Sequence, residues 1–480
     1  MNTYEIQAKP YGEYDVVVCG GGTAGVCAAI ASAREGARTL LIERSFNVGG
    51  MLTVGEAGIT KFSEHCKDVD KYKTEVLDVL ATEPKKVQVV GGIAHEYVMR
   101  LLKKGKALGT NGEAGSYIFT DKAASQYELV EMLDEAGVEV LYDTRVCLVK
   151  KDGNTVTGVI VHNKEGFCEI EAKQVIDTTG DADVAALAGV PFNKGATEED
   201  VKEGGATKVG QLMGMGVMFR VKNVDFEQAF RYLEENPDRF HQHEFGVMSL
   251  ENVKESYRKG DMCVFRIVLN EWPEKGYKLV QVYNLPERGE AILLGPGCGY
   301  NSEPDGLDAR VLSKAVHTVQ SGVRRLTDVL KAIPGFENTT VTYVPDIGVR
   351  ETRHIEGEYK ETIIDVLSGR DFDDSIACGG HPVDIHPVPK EVEDVDLNHW
   401  RFHIPYRVML PKNVDNLLVA GRCVSATRLA SGAIRPTAQC MALGEAAGTA
   451  AAMAVKESLT PKTVDVRKLR ERLKKNGAVI

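Results

Sequence analysis

The hydrophobic pattern changes character twice along the chain. Tyr14-Asp-Val-Val-Val-Cys19 is a short apolar run that ends in Gly20-Gly-Gly22-Thr-Ala-Gly25, and small residues follow at Val26–Glu35. A second apolar run, Thr39-Leu-Leu-Ile, ends in Glu43. Continuous apolar runs this short, bounded by glycine, predict buried parallel strands, and the small-residue stretch between them predicts a tightly packed helix. Asp121 is placed to cap a helix over Lys122–Ala136 that Gly137 ends, and Val138–Tyr142 returns to a strand. Arg145–Lys150, Thr155–Asn163 and Gly166–Ala172 alternate with the turn signals Asp152-Gly153 and Lys164-Glu-Gly166, so they predict a three-stranded insertion near 145–172. A buried strand from Val175 then runs into Gly180, with a small-residue helix at Val184–Ala188.

From Gly189 the texture differs. Val217–Val221, Met262–Leu269, Lys278–Tyr283 and Ala291–Leu294 predict strands interleaved with polar helices at Phe226–Glu235 and Ala309–Lys331. Asn416-Leu-Leu-Val-Ala-Gly421 is again a buried strand ending in glycine, and Met441–Val455 predicts an Ala/Gly-rich helix that packs closely on a sheet. The expected organisation is an α/β, Rossmann-like domain in two pieces, 1–190 and 405–480. An α+β substrate domain over 191–404 is inserted between them. A length of 480 residues accommodates about three domain-sized units.

Strand, G-x-G-x-x-G turn, helix, strand and acid, in that order, predict a dinucleotide site. Gly20 turns the chain, Gly22 lets backbone approach a pyrophosphate, and Gly25 lets helix and strand close together. Thr23 and Ala24 stand at the helix N-terminus, whose free N–H groups attract phosphate. Glu43 is spaced to bind the ribose hydroxyls.

Charge and cysteine usage narrow the partners. A net charge of −11 argues against a sequence-independent grip on nucleic acid, which needs clustered Lys and Arg. The opening residues show no basic segment followed by an apolar one, and nothing approaches 18 uninterrupted apolar residues, so no membrane partner is expected. The ten cysteines are scattered with no C-x-x-C, the usage of small buried hydrophobes in a reducing compartment. A cytoplasmic protein is expected, with homo-oligomerisation left open. Cys298, in Gly295-Pro-Gly-Cys-Gly-Tyr300, is the cysteine expected at the surface. Neither His241-Gln-His243 nor His381/Asp384/His386 has recognisable three- or four-ligand spacing, so no metal is expected.

Four segments together resemble the FAD-dependent oxidoreductase family with the glutathione-reductase-type FAD fold, related to the fumarate reductase and succinate dehydrogenase flavoproteins. They are Gly20–Gly25 with Glu43, then Glu43-Arg44-Ser-Phe-Asn-Val-Gly49-Gly50-Met51, then Asp177-Thr-Thr179-Gly180-Asp181, and Asn416–Arg422 with Ala442-Leu-Gly444-Glu-Ala-Ala-Gly448. The likeness covers about half of the chain, at both ends. It implies FAD, with Gly49-Gly50 along the pyrophosphate and ribityl chain and the strand holding Val146 against adenine. Gly180 closes the site, and Gly421-Arg422 and a helix starting near Gly444 approach the flavin. Covalent relatives carry a His between the acid and the Gly-Gly pair; Arg44–Val48 has none, so the FAD is expected to be noncovalent. The only other spacing of this flavour, Gly295, Gly297 and Gly299, is not followed by a small-residue helix, so a nicotinamide domain is not expected and the second electron donor or acceptor is unknown.

The catalytic candidates lie where the second domain meets the C-terminal part. Arg435, just upstream of the predicted flavin-side helix, and the Arg350/Arg353 pair suit a carboxylate, because guanidinium groups bind it bidentately. His386 is a candidate for proton transfer, with Tyr406 and His354 as further acid/base candidates, and Arg407 matches a position of the resembling family's pattern. The expected function is hydride transfer between flavin and a small polar molecule, an organic acid before a sugar or polyol. A flavin subunit of a larger electron-transfer complex is the reading outside single-chain enzymes.

Overall fold

The computed structural model describes residues 5–55, 58–60, 63–65, 86–109, 117–241, 249–386 and 401–480; Cys66 and His243 lie outside them. One sheet of seven strands organises the nucleotide half. Its order is Glu139–Leu141, Thr39–Ile42, Lys9–Cys19, Gly166–Asp177, Thr155–Asn163 and Arg145–Asp152, with Leu417–Val419 also paired to Gly166–Asp177. The pairings among the first four strands and Leu417–Val419 are parallel, and those through Thr155–Asn163 are antiparallel.

The expected short strand at 166–172 and the strand from Val175 are one twelve-residue strand, Gly166–Asp177, because Lys173 and Gln174 continue the ladder with Lys9–Cys19 instead of breaking it. On its other edge, Gly166–Glu171 pairs with Thr155–Asn163 and Val175–Asp177 pairs with Leu417–Val419. The C-terminal strand thus fills the gap left where the antiparallel insertion peels away, so the two ends of the chain share one sheet.

Side-chain alternation divides the core. Val16, Val18, Leu41, Ile176 and Leu418 face one cluster with the helices Thr23–Arg34, Gly92–Lys103, Lys122–Ala136 and Thr437–Glu457. Val17, Cys19, Leu40, Ile42, Val175 and Val419 face another with the antiparallel strands and the short helix Asp183–Ala188. Burial on both faces explains why these strands read as continuous apolar runs. Helices Thr23–Arg34 and Thr437–Glu457 cross at contact distance: a Cβ on Gly444 or Gly448 would collide with the carbonyl oxygens of Ala24 or Ala28. The expected Ala/Gly-rich helix therefore begins at Thr437, two turns before Gly444, and Gly444 is a packing position inside it.

A second, antiparallel sheet has the order Phe240–His241, Val264–Val268, Leu279–Asn284, Ala291–Leu294, Phe219–Lys222, Thr340–Tyr343. One face, with Phe219, Val221, Phe265, Ile267, Val280, Val282 and Leu293, packs on the helices Phe226–Glu235, Leu250–Lys259 and Ala309–Leu330. The other face turns toward the nucleotide half, where Ile292 and Tyr283 meet Phe119 and Arg220 donates to the Thr120 carbonyl. Gly297, with φ +82°, is where this layer closes, because the carbonyl of Gly297 lies against Gly322 of the long helix. The Gly295–Gly299 segment is thus a packing turn. Ile363, Val366, Ile376, Phe402 and Ile404 belong to the same cluster as Val16, so the nucleotide core draws on residues well before 405.

Candidate functional site

The glycine-rich turn leaves space of a particular shape. Gly20 holds φ +105°, and a Cβ there would lie 2.7 Å from the Thr178 carbonyl oxygen, while a Cβ on Gly25 would collide with the Gly20 carbonyl. Gly22 is different, with no atom within 4 Å of the Cβ position. It is also the N-cap of Thr23–Arg34 without a side-chain cap, so the first N–H groups of the helix point into open space. Gly49 and Gly50 fold back over this turn: Gly49 N–H donates to the Gly21 carbonyl at 2.7 Å, and a Cβ on Gly50 would sit 3.0 Å from Gly22 Cα. An uncapped helix end beside open space at Gly22, with the Gly49–Gly50 backbone packed against the turn, fits a pyrophosphate.

Glu43 is nearly buried and already accepts from two backbone donors, Gly21 N–H and Ser45 N–H, each at 2.7 Å. A carboxylate has about four lone-pair sites, so about two remain for ribose hydroxyls. Arg44 is exposed, Met51 is 38% exposed, and Val146 is half-buried in its strand.

The opposite wall comes from the ends of Gly166–Asp177 and Leu417–Val419. Asp177 is fully buried and accepts from Thr179 N–H, Thr179 Oγ1 and Ala185 N–H, which fixes the turn through Gly180; burial raises its carboxyl to about 6 against these bonds. Gly421 has φ +99°, and Arg422 donates to the Gly180 and Val349 carbonyls and pairs with Asp181. Arg422 thereby ties the second-layer segment at 349 to the turn at 180. Pro436 precedes the long helix without a side-chain cap, so the free N–H groups of Thr437–Glu457 follow directly on Arg435.

The arginines separate into two roles. Gly348, two residues before Arg350, lies 3.6 Å from the Met51 methyl when measured from its Cβ position. Arg350 donates to the Gly214 carbonyl at 2.7 Å and forms no ion pair with a carboxylate among the described residues; burial and the nearby Arg435 charge lower its affinity for its proton. Arg435 donates to the carbonyl and the carboxylate of Asp384, both at 2.7 Å. Asp384 in turn holds His386 Nε2 at 2.6 Å. Burial pushes the Asp384 carboxyl up, but Arg435 and His386 outweigh it and keep the group well below the usual carboxylate range. Arg435, expected as a contact for a substrate carboxylate, thus has a counterion within the chain.

The expected Arg350/Arg353 pair does not converge. Arg353 is in the strand Arg353–Ile355 and donates to the Asp181 carbonyl and Asp183 carboxylate, both at 2.8 Å. Tyr406 is fully buried and donates to the Pro461 carbonyl at 2.9 Å, and burial pushes its hydroxyl far above the usual phenol range. Neither reaches the Arg350–Asp384–His386 group through these bonds. His354 is buried 3.5 Å from Glu351, which also holds Arg428, and Arg407 pairs with Asp374.

Asp384 was recognised as a possible ligand from sequence but not as the link between Arg435 and His386; the three-residue spacing of Asp384 and His381 gave no sign of it. Cys298 is fully buried rather than exposed, and burial raises its thiol to about 12. Among the described residues, no cluster of three or more His, Cys, Asp or Glu is arranged to hold a metal, and no helix is long and apolar enough to cross a membrane.

Comparison with known proteins agrees with the groove. A digeranylgeranylglycerophospholipid reductase of Thermoplasma volcanium is 29% identical over 167 residues, 35% of this chain and 39% of that protein. An NADH:fumarate oxidoreductase of Klebsiella pneumoniae is 27% identical over 187 residues, 35% of this chain and 20% of that protein. The chain thus spans about two fifths or less of the length of these curated relatives. A crystal structure of a geranylgeranyl bacteriochlorophyll reductase-like protein from Thermoplasma acidophilum aligns over 97% of this chain and 83% of that one, at 15% identity and a TM-score of 0.42. The sequence pattern of the family described as FAD dependent oxidoreductase matches residues 15–473. The chain belongs to the FAD-dependent oxidoreductase family, an enzyme family whose cofactor this groove fits.

Proposed function

We propose that this enzyme moves a hydride between FAD and a small organic acid, with Arg350 as the anion seat and the Asp384–His386 pair as the proton-handling group. The carrying observation is that Arg350, two residues beyond the approach of Gly348 to Met51, is a guanidinium without a carboxylate partner among the described residues. A buried planar cation beside Arg435, its proton affinity lowered chiefly by burial, is stabilised by an incoming carboxylate. Asp384 orients His386 through Nε2 and leaves Nδ1 to exchange a proton. Bound FAD supplies hydride exchange at its N5. The residues proposed to hold it are Gly20, Gly22, Thr23, Ala24, Gly25, Glu43, Arg44, Gly49, Gly50, Met51, Val146, Thr179, Gly180, Gly421 and Arg422, with the start of the Thr437 helix in the place first assigned to Gly444. Noncovalent attachment, the glutathione-reductase-type fold and the division at 191 and 404 belong to this proposal, as does a cytoplasmic site, which rests on scattered cysteines, nine of them free among the described residues.

The test is anaerobic bleaching of the flavin by a panel of carboxylates and neutral polyols, in wild type and in Arg350→Lys. Lysine keeps the charge and loses the fork, so kcat/KM for the bleaching acid should fall by the equivalent of about 1.5–3 kcal/mol at unchanged FAD content. His386→Asn should lower kcat about 10²–10⁴-fold. Unchanged rates in Arg350→Lys and Arg350→Gln, on a substrate that bleaches the wild type, would sink the anion seat and favour a hydroxylated neutral substrate.

A further inference from the structure

Away from the groove, Cys378 sits on the strand Ser375–Gly379 directly opposite His403 of Phe402–Pro405. Its sulfur accepts from Arg401 Nε at 3.3 Å and lies 3.6 Å from His403 Nδ1. All three residues are buried. His403 is 3.7 Å from Asp371, whose side chain is 72% exposed, and Arg401 Nη2 reaches the backbone oxygen of the last residue, Ile480, at 3.5 Å. The sulfur is therefore separated from solvent by the His403 ring and the exposed Asp371 side chain. Arg470 of the C-terminal helix, the other charged group bonded to this hairpin, spends its donors on the Phe372 and Ser375 carbonyls.

This setting differs from that of the other buried cysteines. Burial raises the thiols of Cys19, Cys27, Cys263, Cys298, Cys423 and Cys440, as expected for inert packing residues. At Cys378 burial acts in the same direction, yet Arg401 and His403 outweigh it and bring the thiol down to about 7. A guanidinium in a dry hairpin needs acceptors, and Arg401 gives its donors to the Cys378 sulfur and the Ile480 oxygen.

We propose that Cys378 is a peroxide-reactive thiolate held by Arg401 and His403 in the Ser375–Gly379/Phe402–Pro405 hairpin. Hydrogen peroxide is the oxidant. The thiolate sulfur attacks one peroxide oxygen, the S–O bond forms as the O–O bond breaks, sulfur loses two electrons to become the sulfenic acid, and the departing hydroxide takes a proton to become water. Loss of the thiolate charge removes one of the two acceptors of Arg401 and weakens its contact with Cys378.

The test treats the intact holoenzyme with hydrogen peroxide at neutral pH, traps sulfenic acid with dimedone and maps the adducts by mass spectrometry. Cys378 should be trapped at least tenfold faster than Cys147, which is half-buried and whose sulfur lies 3.6 Å from the Arg145 carbonyl. Arg401→Gln should slow trapping at Cys378 at least tenfold while leaving Cys147 unchanged, and Arg401→Lys should restore part of the rate. Wild-type protein in which Cys147 reacts and Cys378 does not overturns the proposal without reference to any variant. Equal trapping rates at Cys378 in wild type and Arg401→Gln overturn it too.

Discussion

The two walls of the groove are made of different material. On the nucleotide side the working atoms are backbone: the uncapped N–H groups at Gly22, the Gly49–Gly50 fold, and glycines that admit no side chain. On the side proposed for the reaction they are charged side chains, Arg350, Asp384, His386 and Arg435, of which Arg435, Asp384 and His386 balance one another. Backbone geometry is dictated by local sequence, so the first wall tolerates almost no substitution. Side-chain charges are balanced by partners distant in sequence, so their roles emerge only once the partners are known. Arg350 and Arg435 are the same residue type in neighbouring positions, and only Arg435 has its counterion 51 residues away in the chain.

The largest test of this contrast compares two glycines of one motif. Gly25→Ala forces a methyl group onto the Gly20 carbonyl and should destabilise the domain by at least about 3 kcal/mol, seen as loss of the cooperative melt together with loss of FAD. Gly22 has ordinary extended backbone and empty space around its Cβ position. Gly22→Val should therefore leave a folded, colourless protein, because the side chain fills only the volume kept for the pyrophosphate. A Gly22→Val protein that retains stoichiometric FAD would remove the pyrophosphate from this turn.

A smaller effect tests the helix pair behind the nucleotide wall. Glu445, on the long helix and nearly fully buried, accepts from Ile93 N–H at 2.9 Å, and burial raises its carboxyl to about 7. The folded state thus binds a proton more tightly than the unfolded chain, whose ordinary value is near 4.5. The stabilisation is complete below the unfolded value and is lost as pH rises through the folded one, about 3 kcal/mol in all between roughly pH 4.5 and 7. Glu445→Gln keeps an acceptor for Ile93 without the ionisation. Its melting temperature should exceed the wild type's at pH 8–9 and converge with it near pH 5. Parallel curves for the two proteins across this range would place the titration elsewhere.

What could be read from the sequence follows the same division. The strands Thr39–Ile42 and Ala291–Leu294 and the helices Lys122–Ala136 and Phe226–Glu235 have the bounds that periodicity and caps suggest, because Asp121, Gly137 and Asp225 are local signals. The strand Thr340–Tyr343 was missed, since its alternate residues are only partly buried and its pairing is with Phe219–Lys222, some 120 residues earlier. The polar pair Lys173-Gln174 suggested a break that the neighbouring strand bridges. Arg353 and Tyr406 looked chemical by residue type alone; the ladder with Phe192–Lys194 and the carbonyl of Pro461 account for them structurally. Cys378 gave no signal, because its cations arrive by strand pairing across 23 residues.

The smallest expected effect separates a residue that resembles a catalyst from one that acts as one. Tyr406 and His386 were both candidates for proton transfer, and the fold puts them in opposite circumstances: Tyr406 is dry and bonded to Pro461, whereas the His386 side chain is 48% exposed and oriented by Asp384. A phenol held this far above its usual range does not give up its proton near neutrality, and its one donor already serves a buried carbonyl. Tyr406→Phe removes a single oxygen and leaves the ring in place, so it should cost about 1 kcal/mol of stability from the lost hydrogen bond. Flavin reduction by the substrate that bleaches wild type should keep its rate and its pH profile. Should Tyr406→Phe instead lower kcat by the hundredfold expected of a lost proton donor while its melt stays put, the hydroxyl must turn into the groove during turnover, and the division between a backbone wall and an Arg350–Asp384–His386 wall would have to include a third, mobile group.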